Sequence, residues 1–344
     1  MKKFYDCTVV VISGGKPRVE FTVETLKSVN EQVLKPSQKI FINHGHSEVT
    51  MKQIYASKEL EDDWEIINFP INTYDPLDVD TLFKYTGAVG MNLARSKYIF
   101  FLPDDDLIEK NFFAQMSKLT DEEPNTIVAS GLAVGLDKNK FIYPAKGSWC
   151  NRPTYEEGIE VFRKIYSGDE LYHPNPGFSY VIRKDLLEET SSTIFGFGFP
   201  DITPMLQIIP RGIFAFDKDA LMMRKNHFEQ IHNQWDIDNV RTNYYHRANR
   251  LLLSKNLQVM TGIKFITKKD LRLLKKYYAR QLSHRSWLAI NQKIPEYALS
   301  KKIFKGSNMT YKIMCVGFML KTPIYSMRVI LKPGRLKKYL AKHN

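Results

Sequence analysis

Four short runs in the first third of the chain, Cys7 to Ile12, Lys39 to Asn43, Trp64 to Phe69 and Tyr98 to Leu102, are separated by segments of a different periodicity. Cys7 to Ile12 is continuous and β-branched, the pattern of a strand covered on both faces. Glu20 to Gln32 then carries Phe21, Val23, Leu26 and Val29 at helical spacing. Tyr85 to Leu93, with Ala88 and Met91, has the spacing of a second helix that runs into the fourth strand. Strands alternating with helices predict an α/β fold with a doubly wound, mostly parallel sheet. Such sheets collect their ligands at the carboxyl ends of the strands, where strand order reverses.

The residues at those ends therefore matter most. Ser13-Gly14-Gly15 follows the first strand, Asn43-His44-Gly45-His46-Ser47 the second, and Pro103-Asp104-Asp105-Asp106 the fourth. Three consecutive carboxylates repel one another unless a cation or donor groups neutralise them. A divalent metal does this and can in turn hold a diphosphate. The competing reading is a solvated acidic turn in which Asp106 caps a helix beginning at Leu107-Ile108-Glu109. Position at a strand end in an alternating pattern favours the metal.

The ordered set Thr25 to Gln32, Gly87 to Ala94 and Phe101-Leu102-Pro103-Asp104-Asp105-Asp106 resembles family 2 glycosyltransferases of the GT-A fold, over roughly residues 6 to 230. The resemblance implies a GT-A-like sheet, a nucleoside-diphosphate sugar donor (UDP-sugar foremost) and a bound Mg2+ or Mn2+. Under it Asp105 is the metal ligand, Asp104 a contact to ribose or metal, and Asp106 stands beside them. The chain departs from the family pattern where relatives carry Asp-Asp-Gly-Ser after the second strand. Asn43 stands there, and an amide offers both a donor and an acceptor to a uracil edge. Pro103 replaces the first acidic position, which leaves the metal to the residues after it. Ser13, Lys84 and Arg95 are further candidate donor contacts, although the two basic residues also suit a solvated surface.

The family places its catalytic base downstream, which points to Asp201, at the end of the aromatic loop Phe195-Gly196-Phe197-Gly198-Phe199-Pro200. An apolar surround would raise its pKa towards working pH, as suits a general base; the alternative is a helix cap. Many relatives supply a histidine to the metal or diphosphate after a segment like Asp219 to Asn226. His227 fills that place, with Arg224 and Lys225 adding positive charge and His232 in reserve. The reaction implied is a single displacement that inverts the anomeric carbon. Gly177, Gly196 and Gly198 are the expected hinges of loops that close over substrate.

The net charge of +13 is unevenly placed. Residues 261 to 344 hold 20 Lys and Arg against 2 Asp and Glu, a net of +18, leaving −5 for residues 1 to 260. The expected organisation is a catalytic domain over residues 1–235 and a helical, basic region over 236–344. Lys and Arg alternate there with Leu271, Tyr277, Tyr278 and Trp287, a pattern suited to an anionic membrane surface. A solvated helical bundle is the plain alternative, and nucleic acid is the least favoured partner because no nucleic-acid module is recognisable. The uncharged stretch Ile313 to Leu320 is far too short to span a bilayer. Cys7, Cys150 and Cys315 have no paired spacing, which points to a reducing compartment. The expected location is the cytoplasmic face of the inner membrane, acting on a saccharide or lipid-linked saccharide acceptor. Two other functions remain open: a sugar nucleotidyltransferase, poorly matched by Ser13-Gly14-Gly15-Lys16-Pro17-Arg18, and a non-catalytic nucleic-acid-binding protein.

Overall fold

Val9, Val10 and Val11 are fully buried in the first strand, β1 (Phe4–Gly14), because layers cover both faces of the sheet there. In the computed structural model, the residues described are 4–14, 18–60, 62–69, 79–137, 140–142, 152–167, 180–188, 208–225 and 269. The chain divides into two compact units. The first, Met1–Val240 with Lys255–Phe265, contains all of the described residues except Lys269. The expected boundary at 235/236 and the basic region beyond it lie outside the described residues, Lys269 apart.

After β1 come α1 (Val19–Asn30), β2 (Lys35–His44), α2 (Glu48–Ala56), β3 (Trp64–Phe69), α3 (Val79–Leu93) and β4 (Tyr98–Pro103). Next are β5 (Asp106–Ile108), α4 (Phe112–Glu122), β6 (Thr126–Asp137), β7 (Lys140–Ile142), β8 (Tyr155–Glu157) and α5 (Gly158–Ser167). β9 (Tyr180–Arg183), a 3-10 turn (Ile209–Arg211) and β10 (Ile213–Lys225) complete the described elements. Among the described residues ten strands form one sheet, ordered β3-β2-β1-β4-β9-β6-β10-β5, with β7 on β6 and β8 on β10. β3, β2, β1 and β4 are mutually parallel, as are β6 and β10, and β9 is antiparallel between the two groups. This is the expected GT-A-like, doubly wound, mostly parallel α/β sheet.

α1 buries Thr22, Thr25, Leu26 and Val29, a stripe at the period of a helix lying on the sheet. Beneath α4, Phe100 meets Phe112 and Phe113 with ring centroids 5.1 and 5.6 Å apart, and Tyr5 joins at 6.2 Å from Phe113. Tilted and edge-to-face rings of this kind contribute roughly 0.5–1.5 kcal/mol per pair beyond the area they bury. They fix the layer from which the acidic turn between β4 and β5 projects.

The structure removes the competing reading of that turn. Asp106 does not cap a helix: Asp106 to Ile108 is a strand, antiparallel to Met222–Arg224 of β10, and the helix begins at Phe112. Cross-strand bonds with β10 outweigh the weak local preference of Asp for a cap. α1 secures the turn from the other side, with Thr25 Oγ1 donating to the Asp106 carbonyl at 2.9 Å. Gln32 at its end donates to the Glu109 carbonyl at 2.8 Å and accepts from the Phe113 amide at 3.1 Å.

Gly131 marks the closest approach of β6 to β10. A Cβ there would stand 2.2 Å from the Ala220 carbonyl oxygen and 2.9 Å from the Phe112 ring. Backbone cannot yield as a flexible side chain can, so Gly131→Ala is expected to cost about 1–3 kcal/mol of overpacking. Urea denaturation checks this, and an unchanged midpoint would count against the packing described. Among the described residues no helix is long and apolar enough to cross a membrane.

Candidate functional site

Strand register places a row of polar residues at one level across the carboxyl ends of the parallel strands. Asn68 of β3 pairs with Asn43 of β2, and Asn43 with Ser13 of β1. Ile12 pairs with Pro103 of β4, so the row continues into Asp104. Ser13, Asn43 and Asp104 are all buried.

Arg18, the residue before α1, closes the row at its acidic end. Its guanidinium donates from Nη2 to Asp104 Oδ1 at 2.8 Å and from Nη1 to Asp105 Oδ2 at 2.7 Å. Ser13 Oγ donates to Asp104 Oδ2 at 2.6 Å and Thr22 Oγ1 does so at 3.3 Å. Burial pushes the Asp104 carboxyl up to about 6, against the opposing pull of Arg18 and with a further rise from the like charge of Asp105; the Ser13 and Thr22 hydroxyls oppose the rise. A resident guanidinium thus supplies part of the neutralisation that three adjacent aspartates require.

The second strand end is organised by Asn43. Its Oδ1 accepts from the His46 amide at 2.9 Å, and its Nδ2 donates to Asn68 Oδ1 at 2.9 Å. His46 Nε2 lies 2.7 Å from Ser13 Oγ, which links the second strand end to the acidic one. Burial lowers the His46 pKa to about 4, helped by the positive charge of Arg18 and by His44, so the ring is neutral at pH 7. The unfolded chain, with an ordinary value of about 6.5, takes up this proton first. Stability is therefore expected to fall as pH drops from about 6.5 to 4, by on the order of 1–2 kcal/mol once solvent screening is allowed for. His46→Gln should lose this component, and denaturation curves of the two proteins that stay parallel over that window would contradict the assignment.

The sequence candidates divide accordingly. Ser13, Asn43, Asp104 and Asp105 are brought together in one network. Ser13 and Asn43 are buried supports of it rather than exposed contacts. Asp106 is also buried, its backbone held by β10 and Thr25. Arg95 stands elsewhere. It precedes β4, at the amino ends of the strands, where its guanidinium pairs with Glu65 of β3 and its amide donates to Gln38 at 2.8 Å. A residue before a parallel strand stands at the pole of the sheet opposite the strand ends that carry Asp104 and Asp105, and Arg95 is therefore not brought into their network. Lys84 lies in the first half of α3, and its side chain, like Asp201 and His227, lies outside the described residues. Lys225 pairs with Glu24 of α1 and lies 4.7 Å over the Phe21 ring.

Sequence reasoning missed Arg18, Thr22, His46 and Asn68. The threonines within the otherwise apolar stripe of α1 were the available signal, since a buried hydroxyl on a helix face needs a polar partner.

The residues present are compatible with a cation of the type the resemblance implies. Among the described residues no group of three His, Cys, Asp or Glu side chains converges as an all-protein cage would. Mg2+ does not need one, since it is commonly held by one or two carboxylates with substrate phosphates and water completing the shell. Asp105 suits that arrangement, with a side chain 13% exposed against 4% for Asp104.

No protein-family model and no curated protein matches the chain. Solved structures do. S. aureus TarS 1-349 in complex with UDP-GlcNAc is 13% identical with a TM-score of 0.65, over 90% of this chain and 83% of that one. The same protein with UDP gives 13% identity and a TM-score of 0.51, over 88% and 92%. A further S. aureus TarS structure gives 12% identity and a TM-score of 0.59 over 90% of this chain, which spans only 50% of that longer one. At these identities the likeness is one of fold alone.

Proposed function

We propose that the chain is a glycosyltransferase that moves a sugar from a nucleoside-diphosphate donor, a UDP-sugar foremost, to a hydroxyl of a saccharide or lipid-linked saccharide. One observation carries this reading: a polar row crosses the carboxyl ends of four parallel strands and ends at Asp104 and Asp105, clamped by Arg18, in a fold shared with a protein solved with UDP-GlcNAc and with UDP. Asp105 is the residue best suited to hold Mg2+ or Mn2+, with Asp106 beside it and His227 as a further candidate ligand. When bound, such an ion offsets the negative charge that builds on the departing diphosphate.

The chain's own residues divide the remaining work. Arg18 keeps Asp104 and Asp105 apart and correctly turned before the donor arrives, so their placement costs no reorganisation during reaction. Asp201 is the residue proposed to take the proton from the acceptor hydroxyl as that oxygen attacks the anomeric carbon, with inversion. The basic region after residue 260 is proposed to hold the enzyme at an anionic membrane surface on the cytoplasmic side, beside a lipid-linked acceptor.

The test is a donor screen on the full chain. UDP-sugars are incubated with Mn2+, with Mg2+ or with chelator, and release of nucleoside diphosphate and binding by calorimetry are followed. Metal-stimulated release of UDP supports the reading. No binding of any nucleoside diphosphate would end it, and release of pyrophosphate from a nucleoside triphosphate would move the chain to the nucleotidyltransferases.

A further inference from the structure

Arg18 joins two carboxylates with the two arms of one guanidinium. Nη2 donates to Asp104 Oδ1 at 2.8 Å and Nη1 to Asp105 Oδ2 at 2.7 Å. Both nitrogens belong to one rigid planar fork, so the two oxygens face the same small space and the guanidinium fills it. A divalent ion bridging them at about 2.1 Å would have to take the place of the guanidinium. An ion seated beside it would set a double positive charge against a resident single one.

The two halves of this clamp are unequal. Asp104 is buried and also accepts from Ser13 Oγ at 2.6 Å and Thr22 Oγ1 at 3.3 Å, so it is held without help from Arg18. The Asp105 side chain is the more exposed, 13% against 4%. The backbone of Arg18 is fixed, its carbonyl accepting from the Thr22 amide at 3.0 Å and from Thr22 Oγ1 at 3.2 Å. Release of Asp105 therefore needs only a turn of the Arg18 side chain about its Asp104 contact.

We propose that Arg18 is a resident counter-cation that competes with the divalent ion for Asp105, so that the protein admits metal well only together with a nucleoside diphosphate. The diphosphate shifts the balance because its oxygens add ligands to the ion and acceptors for the displaced Nη1, and neither cation is left unpaired. Ion and nucleotide then bind cooperatively, each strengthening the other by the same factor. This inference rests on the metal-dependent nucleotide-sugar reading above and adds the residue that sets when metal enters.

The experiment titrates the full chain with MnCl2, following the free aqueous Mn2+ signal by electron paramagnetic resonance, without nucleotide and with saturating UDP. Wild type without UDP is expected to bind Mn2+ about 10- to 100-fold more weakly than Arg18→Met, the range set by one charge-assisted hydrogen bond. UDP should tighten Mn2+ binding about tenfold more in wild type than in Arg18→Met. Mn2+ should also return part of the stability that Arg18→Met loses, raising its Tm by more than that of wild type, because the ion replaces the lost cation. Arg18→Lys keeps the positive charge and disturbs the fold less, but lacks the planar fork that clamps both carboxylates. It should bind Mn2+ several-fold more tightly than wild type. Adding Asp105→Asn to Arg18→Met should abolish the gain.

Equal Mn2+ affinity in wild type and Arg18→Met without UDP overturns the inference. So does weaker binding by Arg18→Met, which would assign Arg18 to presenting the carboxylates rather than guarding them. Tighter binding by Arg18→Met with Arg18→Lys unchanged from wild type would reduce the effect to net charge and overturns it as well. Each of these results leaves the metal-dependent reading standing where Mn2+ and UDP still bind together. No Mn2+ binding by any of the proteins in the presence of UDP removes the metal part of that reading and this inference together.

Discussion

Arg18→Met is expected to destabilise the fold by about 3–5 kcal/mol, the cost of removing one partner from a buried ion pair and leaving the other charged. Arg18 faces two carboxylates, Asp104 at 2.8 Å and Asp105 at 2.7 Å, and its side chain is 4% exposed. Methionine fills much of the same volume, so the loss is electrostatic rather than a cavity effect. The two carboxylates can relieve it by taking up protons. The deficit should therefore be greatest at pH 7–8 and shrink as pH falls through the raised pKa of Asp104. Adding Asp104→Asn and Asp105→Asn to the Arg18→Met protein should recover much of the stability, because it removes the charges that were stranded. Urea denaturation of the three proteins against pH checks this. A loss that is independent of pH and not recovered by the amides would show that Arg18 acts through packing alone.

Asp105→Asn should have the largest effect on turnover and a small one on stability. The amide oxygen can still accept from Arg18 Nη1, and Asp104 keeps its bonds to Arg18, Ser13 and Thr22. What disappears is the negative charge on the most exposed of the paired carboxylates. Removing one preorganised electrostatic group of this kind typically costs about 10²–10³ in kcat. Donor binding in the presence of Mn2+ should weaken in parallel, with Tm within a few degrees of wild type. Asp201→Asn should differ in kind, leaving donor affinity intact and removing turnover. Wild-type kinetics in Asp105→Asn would dissociate the acidic turn from the chemistry.

The parallel half of the fold was legible because each of its strands reads by itself. Trp64–Phe69 matched residue for residue, and Cys7–Ile12 lengthened only at its ends, to Phe4–Gly14. The other half depends on pairing between distant segments. β5 has three residues and exists because Met222–Arg224 lies beside it; without that partner its Asp-Leu-Ile was equally open to reading as a helix start. The site divides in the same way. Asp104 and Asp105 were found from their place after an apolar strand, a local property. Arg18 was not, because its bond to Asp104 joins residues 86 apart in the chain and nothing in Lys16-Pro17-Arg18 announces it. Arg95 was placed with the donor because a helix periodicity does not say which pole of the sheet its end reaches. The structure answers that through the pairing of Arg95 with Glu65.

The most direct measurement is a crystal structure of the full chain with UDP and Mn2+, phased to show manganese by its anomalous signal. The expected result is a peak bonded to a carboxylate oxygen of Asp105 and to the diphosphate, with the uridine running from β1 towards β3. Manganese absent from the aspartates, with the nucleotide away from the carboxyl ends of β1 and β4, would contradict the proposed site.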